Sequence, residues 1–206
     1  MKKILAIASS TMLLSVAVNA LEVNITEDLE SVDVDHGGKT VKVQRIQNTR
    51  NKITNSYAKT SRPCPPFCIH PMVVAKGVTT VGELELLKFL KEDVQNNRGL
   101  LIDARMPQWY QNGTIPGALN IPFNILGDET YLSRVLELLG ATKSGGKWNF
   151  KNAQKLMLFC NGQWCDQSPR AIKSLLKAGY PPNKIFYYRG GMQNWQLMGL
   201  TTVVPK

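Results

Sequence analysis

Residues 155–170, Lys155-Leu156-Met157-Leu158-Phe159-Cys160-Asn161-Gly162-Gln163-Trp164-Cys165-Asp166-Gln167-Ser168-Pro169-Arg170, read as strand, loop and helix in succession. Leu156 to Phe159 is an apolar run without alternation, the pattern of a strand buried on both faces in a parallel sheet. Cys160 then stands at the C-terminal end of that strand. Ser168 is predicted as the helix N-cap and Pro169 as the first helical residue, where a missing N–H has no partner to lose. Ala171, Ile172, Leu175 and Leu176 share one helical face, and Gly179 is read as the residue just past the helix end. A thiol at a strand end, facing loop N–H groups and a helix N-terminus, has its anionic form favoured by the local positive potential. Cys160 is therefore the candidate reactive sulfur.

The same alternation extends both ways from this unit. Upstream, Thr80-Val81-Gly82-Glu83 has the spacing of a capping box, and Leu84, Leu87, Phe89, Leu90 and Val94 form an apolar face for the helix after it. Leu100-Leu101-Ile102 reads as a buried strand ended by Asp103-Ala104-Arg105. Gln108 to Asn112 can make a helical turn, Ile115 to Pro122 a turn and short strand, and Val135 to Leu139 a helix. Lys143 to Lys147 reads as a glycine-rich loop. Downstream, Ile185-Phe186-Tyr187-Tyr188 is one more strand, closed by Arg189-Gly190-Gly191. Strands alternating with helices over residues 78–206 argue for one α/β domain with a parallel sheet.

Residues 21–77 differ in composition and read as an extension. Ser31-Val32-Asp33-Val34-Asp35 and Thr40-Val41-Lys42-Val43-Gln44 alternate apolar and polar side chains around His36-Gly37-Gly38-Lys39, a β-hairpin signal with His36 as a turn residue. The extension ends in Arg62-Pro63-Cys64-Pro65-Pro66-Phe67-Cys68-Ile69-His70-Pro71-Met72. Two consecutive prolines favour extended backbone at about 3.1 Å per residue, which holds Cys64 and Cys68 beyond the ~4.4–6.8 Å of a bridge unless a turn intervenes. The open choices are a local disulfide through such a turn, pairing with Cys160 or Cys165, or a metal site with His70. The local disulfide is favoured, since no fourth metal ligand is evident.

Residues 1–20 have a basic start at Lys2 and Lys3, an apolar core from Ile4 to Val18, and small residues before Ala20. This reads as a secretory signal cleaved before Leu21, and the apolar run is short of the ~20 residues of a spanning helix. Export to the periplasm without stable membrane insertion is the expectation. The whole chain carries a net charge of +10. Its cations are scattered without interleaved aromatics, so nucleic-acid binding is not expected.

Leu101-Ile102-Asp103-Ala104-Arg105, Gly113-Thr114-Ile115-Pro116-Gly117-Ala118, the strand ending at Cys160, and Arg189-Gly190-Gly191-Met192-Gln193-Asn194-Trp195 resemble, in order and spacing, the motifs of the rhodanese family. The resemblance implies a three-layer α/β fold with a five-stranded parallel sheet, here preceded by the hairpin-containing extension. It also implies a sulfurtransferase in which Cys160 takes sulfane sulfur from a small donor, holds it as a persulfide and passes it to a thiol or cyanide. No cofactor is implied, and a periplasmic protein is a further class of partner. The family's loop pattern is C-x-x-G-x-R-S. Here Gly162 comes one position early, Cys165 stands in place of the Arg and Asp166 in place of the Ser, and Thr114 replaces a common His.

Cys160 is accordingly assigned as nucleophile and Cys165 as its partner thiol. Asn161, Gly162, Gln163, Trp164, Asp166, Gln167 and Ser168 are expected to line the donor site, with Asp103 and Arg105 bracing the strand end. Asp166 occupies the position where a C-x5-R phosphatase loop needs its Arg, which removes phosphatase chemistry. Two further readings stay open: a thiol–disulfide redox protein using Cys160 and Cys165, and a catalytically inert binding module.

Overall fold

The computed structural model describes residues 23–205. The signal at residues 1–20 and the cut before Leu21 lie outside the described residues.

Strands β1 (Ser31–His36) and β2 (Lys39–Gln44) form an antiparallel hairpin with Val32 opposite Val43 and Val34 opposite Val41. It turns through Gly37 and Gly38, both at positive φ, where a side chain would be strained. Strand β3 (Thr79–Val81) follows, then helix α1 (Glu83–Phe89) with a wider last turn at Leu90–Val94. Next come β4 (Gly99–Asp103), α2 (Pro107–Gln111), β5 (Ala118–Asn120), α3 (Phe123–Gly127) and α4 (Glu129–Leu138). A second hairpin, β6 (Thr142–Ser144) and β7 (Lys147–Asn149), precedes β8 (Lys155–Phe159), α5 (Gln167–Lys177), β9 (Ile185–Tyr188) and α6 (Gly191–Leu197).

The central sheet has five parallel strands in the order β3-β9-β8-β4-β5. Strand β8 sits at its centre, so both its faces are covered. Met157 and Phe159 enter one core with Leu86, Leu90, Met192 and Trp195, from α1, its last turn and α6. Leu156 and Leu158 enter the other with Leu126, Leu136, Ile172 and Leu175, from α3, α4 and α5. An uninterrupted apolar strand is what two cores require.

Four local readings differ from the structure. The capping box falls two residues later: Thr79–Val81 pairs in the sheet, Gly82 caps α1, and the Glu85 carboxylate accepts the Gly82 N–H at 3.0 Å. Leu84 then faces solvent at 49 % exposure and Leu86 takes its place in the core. The glycine-rich segment from Lys143 to Lys147 is the β6–β7 hairpin, turning at Gly145 and Gly146. Helix α4 starts well before Val135, because the Asp128 carboxylate accepts the Thr130 N–H at 2.8 Å and caps it there. The end of α5 agrees with the sequence: Gly179 at positive φ donates to the Leu176 carbonyl, and Tyr180 to that of Leu175.

The extension is built into the domain. Val32, Val34 and Val43 are buried in the core that holds Leu86 and Trp195. The Ile46 N–H donates to the Gly199 carbonyl at 2.8 Å, and the Thr201 N–H to the Gln44 carbonyl at 3.1 Å. The His36 imidazole accepts the Gly117 N–H at 3.2 Å, so this turn residue also docks the hairpin. Replacing Val34 and Val43 by Ala removes two buried methyl groups at each site, at about 0.8 kcal/mol per group. The expected outcome is a loss of roughly 3 kcal/mol and a Tm lower by roughly 6–12 °C for a domain of this size, read by calorimetry. An unchanged Tm would mean that the hairpin contributes nothing to the fold.

Candidate active site

The site forms where the C-terminal end of β8 meets the starts of α5 and α6. Cys160 follows β8 directly and is 2 % exposed, and Cys165 is 5 % exposed. The loop between β8 and α5 is held from behind by α6: the Met192 N–H donates to the Cys160 carbonyl at 3.0 Å and the Gln193 N–H to that of Asn161 at 2.9 Å. Gly191 makes this approach possible. It has φ +58°, and a Cβ there would lie 2.4 Å from the Cys160 carbonyl oxygen and 2.7 Å from the Gly162 nitrogen.

The Cys160 sulfur sits among polar groups of its own loop and of the first turn of α5. The Ser168 hydroxyl donates to it at 3.1 Å. The same sulfur lies 3.2 Å from the Cys165 carbonyl oxygen, and the Cys165 thiol and the N–H groups of Ser168 and Gly162 bear on its ionisation. Burial alone would push the Cys160 pKa up, but these hydrogen bonds outweigh it and hold the pKa below the ordinary thiol value. Cys165 shifts the opposite way. Burial raises its pKa, and hydrogen bonding to Cys160 and the charge on that sulfur raise it further. The surroundings therefore drive the two pKa values apart, and both cysteines are free of disulfide linkage.

Ser168 does not cap α5. The helix begins at Gln167 after Asp166, which puts Ser168 in the first turn, where its hydroxyl turns to the sulfur. Pro169 is also in that first turn, where backbone N–H groups lack helical partners. The Asp166 carboxylate is half-exposed and lies 3.8 Å from the Arg170 guanidinium.

Asn161 faces away from solvent, 4 % exposed. Its side chain is buried behind the loop, where Oδ1 accepts from the Tyr57 hydroxyl at 2.7 Å and from the Arg105 guanidinium at 3.3 Å. Asp103 and Arg105 form a buried bidentate ion pair at 2.8 and 2.6 Å, with Thr114 donating to Asp103 at 2.8 Å. Arg105 further donates to the Tyr57 hydroxyl at 3.0 Å and the Gly113 carbonyl at 2.7 Å. Burial raises the Tyr57 pKa to about 12, so its hydroxyl stays a donor.

The outer side of the loop meets the extension. The Arg62 guanidinium sits 3.8 Å from the centre of the Trp164 ring, and the Phe67 ring packs edge-on against Trp164 at 5.5 Å. The indole N–H donates to Gln193 at 2.6 Å, and Gln193 donates to the Tyr57 carbonyl at 2.8 Å. The exposed Gln163 offers its carbonyl to the His70 N–H at 3.0 Å, and Arg189 donates twice to the His70 carbonyl. Between these contacts Cys64 and Cys68 are joined by a disulfide, their Cα atoms 4.7 Å apart across two cis-proline bonds. Among the described residues no group of three or more His, Cys, Asp or Glu side chains could hold a metal ion.

Tyr57, Arg62, Phe67, His70, Gln193 and Gly191 were not singled out from sequence as parts of this site. Gly191 and Gln193 stood in the motif from Arg189 to Trp195, and Arg62, Phe67 and His70 in the cysteine-bearing segment, but nothing local placed them against the loop. Tyr57 carried no signal at all.

Residues 85–198 match the rhodanese-like domain family. Over 100 residues, 48 % of this chain, the sequence is 32 % identical to an HTH-type transcriptional regulator of Mycobacterium tuberculosis. The match spans 35 % of that curated relative, about a third of its length. Similar solved structures include a thiosulfate sulfurtransferase from Pseudomonas aeruginosa, at 22 % identity and TM-score 0.43, covering 63 % of this chain and 21 % of that one. A human single-domain sulfurtransferase aligns at 25 % identity and TM-score 0.40, covering 58 % and 96 %.

Ser168→Ala removes one donor from the sulfur. A hydrogen bond to a charged group contributes about 1.5–3 kcal/mol, and one pKa unit corresponds to about 1.36 kcal/mol. The Cys160 pKa is expected to rise by roughly one to two units. The pH dependence of Cys160 alkylation, followed by peptide mass spectrometry, measures it, and an unchanged midpoint would remove Ser168 from the stabilising set.

Proposed function

The chain belongs to the rhodanese-like domain family, and on that premise we propose that it is an exported sulfurtransferase that carries sulfane sulfur as a persulfide on Cys160. The observation that carries this reading is a buried cysteine sulfur at the C-terminal end of β8 that accepts the Ser168 hydroxyl at 3.1 Å, from the first turn of α5. A thiolate is the nucleophile of sulfur chemistry, and hydrogen bonding at this sulfur favours it where burial alone would not.

In the first half-reaction the Cys160 thiolate attacks the outer sulfur of a donor. A bond forms between Cys160 Sγ and that sulfur, the donor's own bond to it breaks, and the leaving group departs with the electron pair. The same donors that hold the thiolate remain to bind the terminal sulfur of the persulfide, itself an anion. In the second half-reaction an acceptor thiolate or cyanide attacks the terminal sulfur and returns Cys160 to the thiolate.

Cys165 gives the site a second outcome. Once deprotonated, it can attack the inner sulfur of the persulfide, forming a Cys160–Cys165 disulfide and releasing hydrosulfide. A reductant must then reset the loop. A thiol–disulfide redox protein is the second reading, favoured by the same two buried thiols lying in hydrogen-bond contact with their pKa values driven apart.

Sulfane-sulfur transfer to cyanide or a thiol, run with and without reductant alongside intact mass, separates these readings. Cys160→Ser is expected to be inactive. Cys165→Ser is expected to keep its persulfide several-fold longer and to lose the dependence on reductant. Activity in Cys160→Ser would defeat the assignment of the nucleophile, and a reversible disulfide without any transferable sulfur would favour the redox protein.

Export is supported by Lys2, Lys3 and the apolar run from Ile4 to Val18. N-terminal sequencing of the protein from a periplasmic fraction is expected to begin at Leu21. Met1 recovered from a cytosolic fraction would overturn it.

A further inference from the structure

The sulfur that has to meet a donor is the least accessible part of its own loop. Cys160 is 2 % exposed and Cys165 5 %. Outside Trp164 and Gln163 lies the segment from Arg62 to His70, which belongs to the extension and rests on the loop at few points. Arg62 stacks on one part of Trp164 and Phe67 meets it edge-on. The His70 backbone is pinned by the Gln163 carbonyl on one side and the Arg189 guanidinium on the other. Between the Arg62 and His70 contacts the chain turns back on itself through the Cys64–Cys68 bridge, which encloses Phe67.

The segment is itself open to solvent. Pro63, Cys64, Pro65, Pro66, Phe67 and Ile69 are exposed while Cys160 is not. A reductant can therefore reach this disulfide without first reaching Cys160. Within the bridged turn the Phe67 N–H donates to the Pro63 carbonyl at 2.9 Å, and that turn presents the ring to Trp164. With the bridge broken, a proline-rich segment favours extended backbone, and extended backbone separates the Arg62 and His70 anchors.

We propose that the Cys64–Cys68 loop is a lid over the reactive loop, opened when an external dithiol reduces the bridge and closed when the bridge reforms. One thiolate of the dithiol attacks a sulfur of the bridge, the S–S bond breaks, and the released cysteine thiolate takes the electron pair and a proton. The second thiol of the reductant resolves the mixed disulfide. The reductant leaves as a disulfide, and Cys64 and Cys68 remain as thiols. The lid then leaves Trp164, and Cys160 becomes reachable by donor and acceptor. This device rests on Cys160 as the reacting group, and the experiment reads its accessibility rather than sulfur transfer.

The test uses the full mature chain, starting from protein whose intact mass shows the Cys64–Cys68 bridge with Cys160 and Cys165 as free thiols. The rate at which iodoacetamide modifies Cys160 is followed by peptide mass spectrometry. It is measured for the oxidised native protein, for native protein reduced with dithiothreitol and desalted, for the Cys64→Ser, Cys68→Ser double variant, and for Phe67→Ala. Reduction, the double variant and Phe67→Ala are each expected to raise the rate by about tenfold or more, as for release of a locally opening segment. Dithiothreitol should add nothing to the double variant. Phe67→Ala keeps the bridge and removes only its ring from Trp164, so it tests the lid even if the double variant fails to fold. Equal slow rates in all four would overturn the proposal. So would the appearance of a Cys160–Cys165 disulfide in step with loss of the Cys64–Cys68 bridge before any dithiol is added, which would make the two pairs exchange partners. Fast labelling of a Cys160 that never carries transferable sulfur would leave the lid standing and end the sulfurtransferase reading.

Discussion

A guanidinium buried to 1 % exposure keeps its charge only if every N–H finds a partner, and Arg105 is such a group. Asp103 takes two of its donors, and the Tyr57 hydroxyl, the Asn161 side chain and the Gly113 carbonyl take the rest. Burial works against the charge, but the Asp103 hydrogen bonds and carboxylate charge raise the Arg105 pKa above its usual value. The partners come from four separate parts of the chain: the end of β4, the turn before β5, the reactive loop and the extension. Removing any one leaves a buried donor or acceptor unsatisfied, so the four are positioned together.

The reactive loop inherits its geometry from that node. Asn161 is fixed by Tyr57 and Arg105, Gly191 lets α6 bind the loop carbonyls, and Cys160 is left with its sulfur toward the first turn of α5. Two buried thiols in one loop cannot both ionise, because each charge would raise the pKa of the other. The asymmetry is decided by hydrogen bonds. The Ser168 hydroxyl donates to Cys160, and hydrogen bonding lowers the Cys160 pKa while it raises that of Cys165.

The residues before the family match belong to the same physical unit. Tyr57 completes the Arg105 node, the first hairpin fills one core, and the segment from Arg62 to His70 contacts Trp164, Gln163 and Arg189. The domain's reactive end is thus finished by a part of the chain that precedes it by about a hundred residues, as the separation of 104 between Tyr57 and Asn161 makes plain.

The sequence by itself determined what depends on neighbours within a few residues. An unbroken apolar run specifies a strand with two buried faces, so the burial of β8 and the position of Cys160 at its end were legible. Alternation around Gly37-Gly38 specified the first hairpin, and one-face spacing ended by Gly179 specified α5. Even locally, choices of equal chemistry stayed open. Ser168 can cap a helix or donate to a sulfur, and Leu84 and Leu86 are equally apolar until β3 and the Gly82 cap fix where α1 begins. Only the tertiary structure decided which face Asn161 presents, what clamps Trp164, and that Tyr57, Gln193 and Arg62 belong to the site. Those contacts join residues tens to more than a hundred positions apart, and no local propensity encodes them. They exist because a buried guanidinium and a buried thiolate each need a full set of partners, and the folded chain supplies those partners from wherever it brings them near.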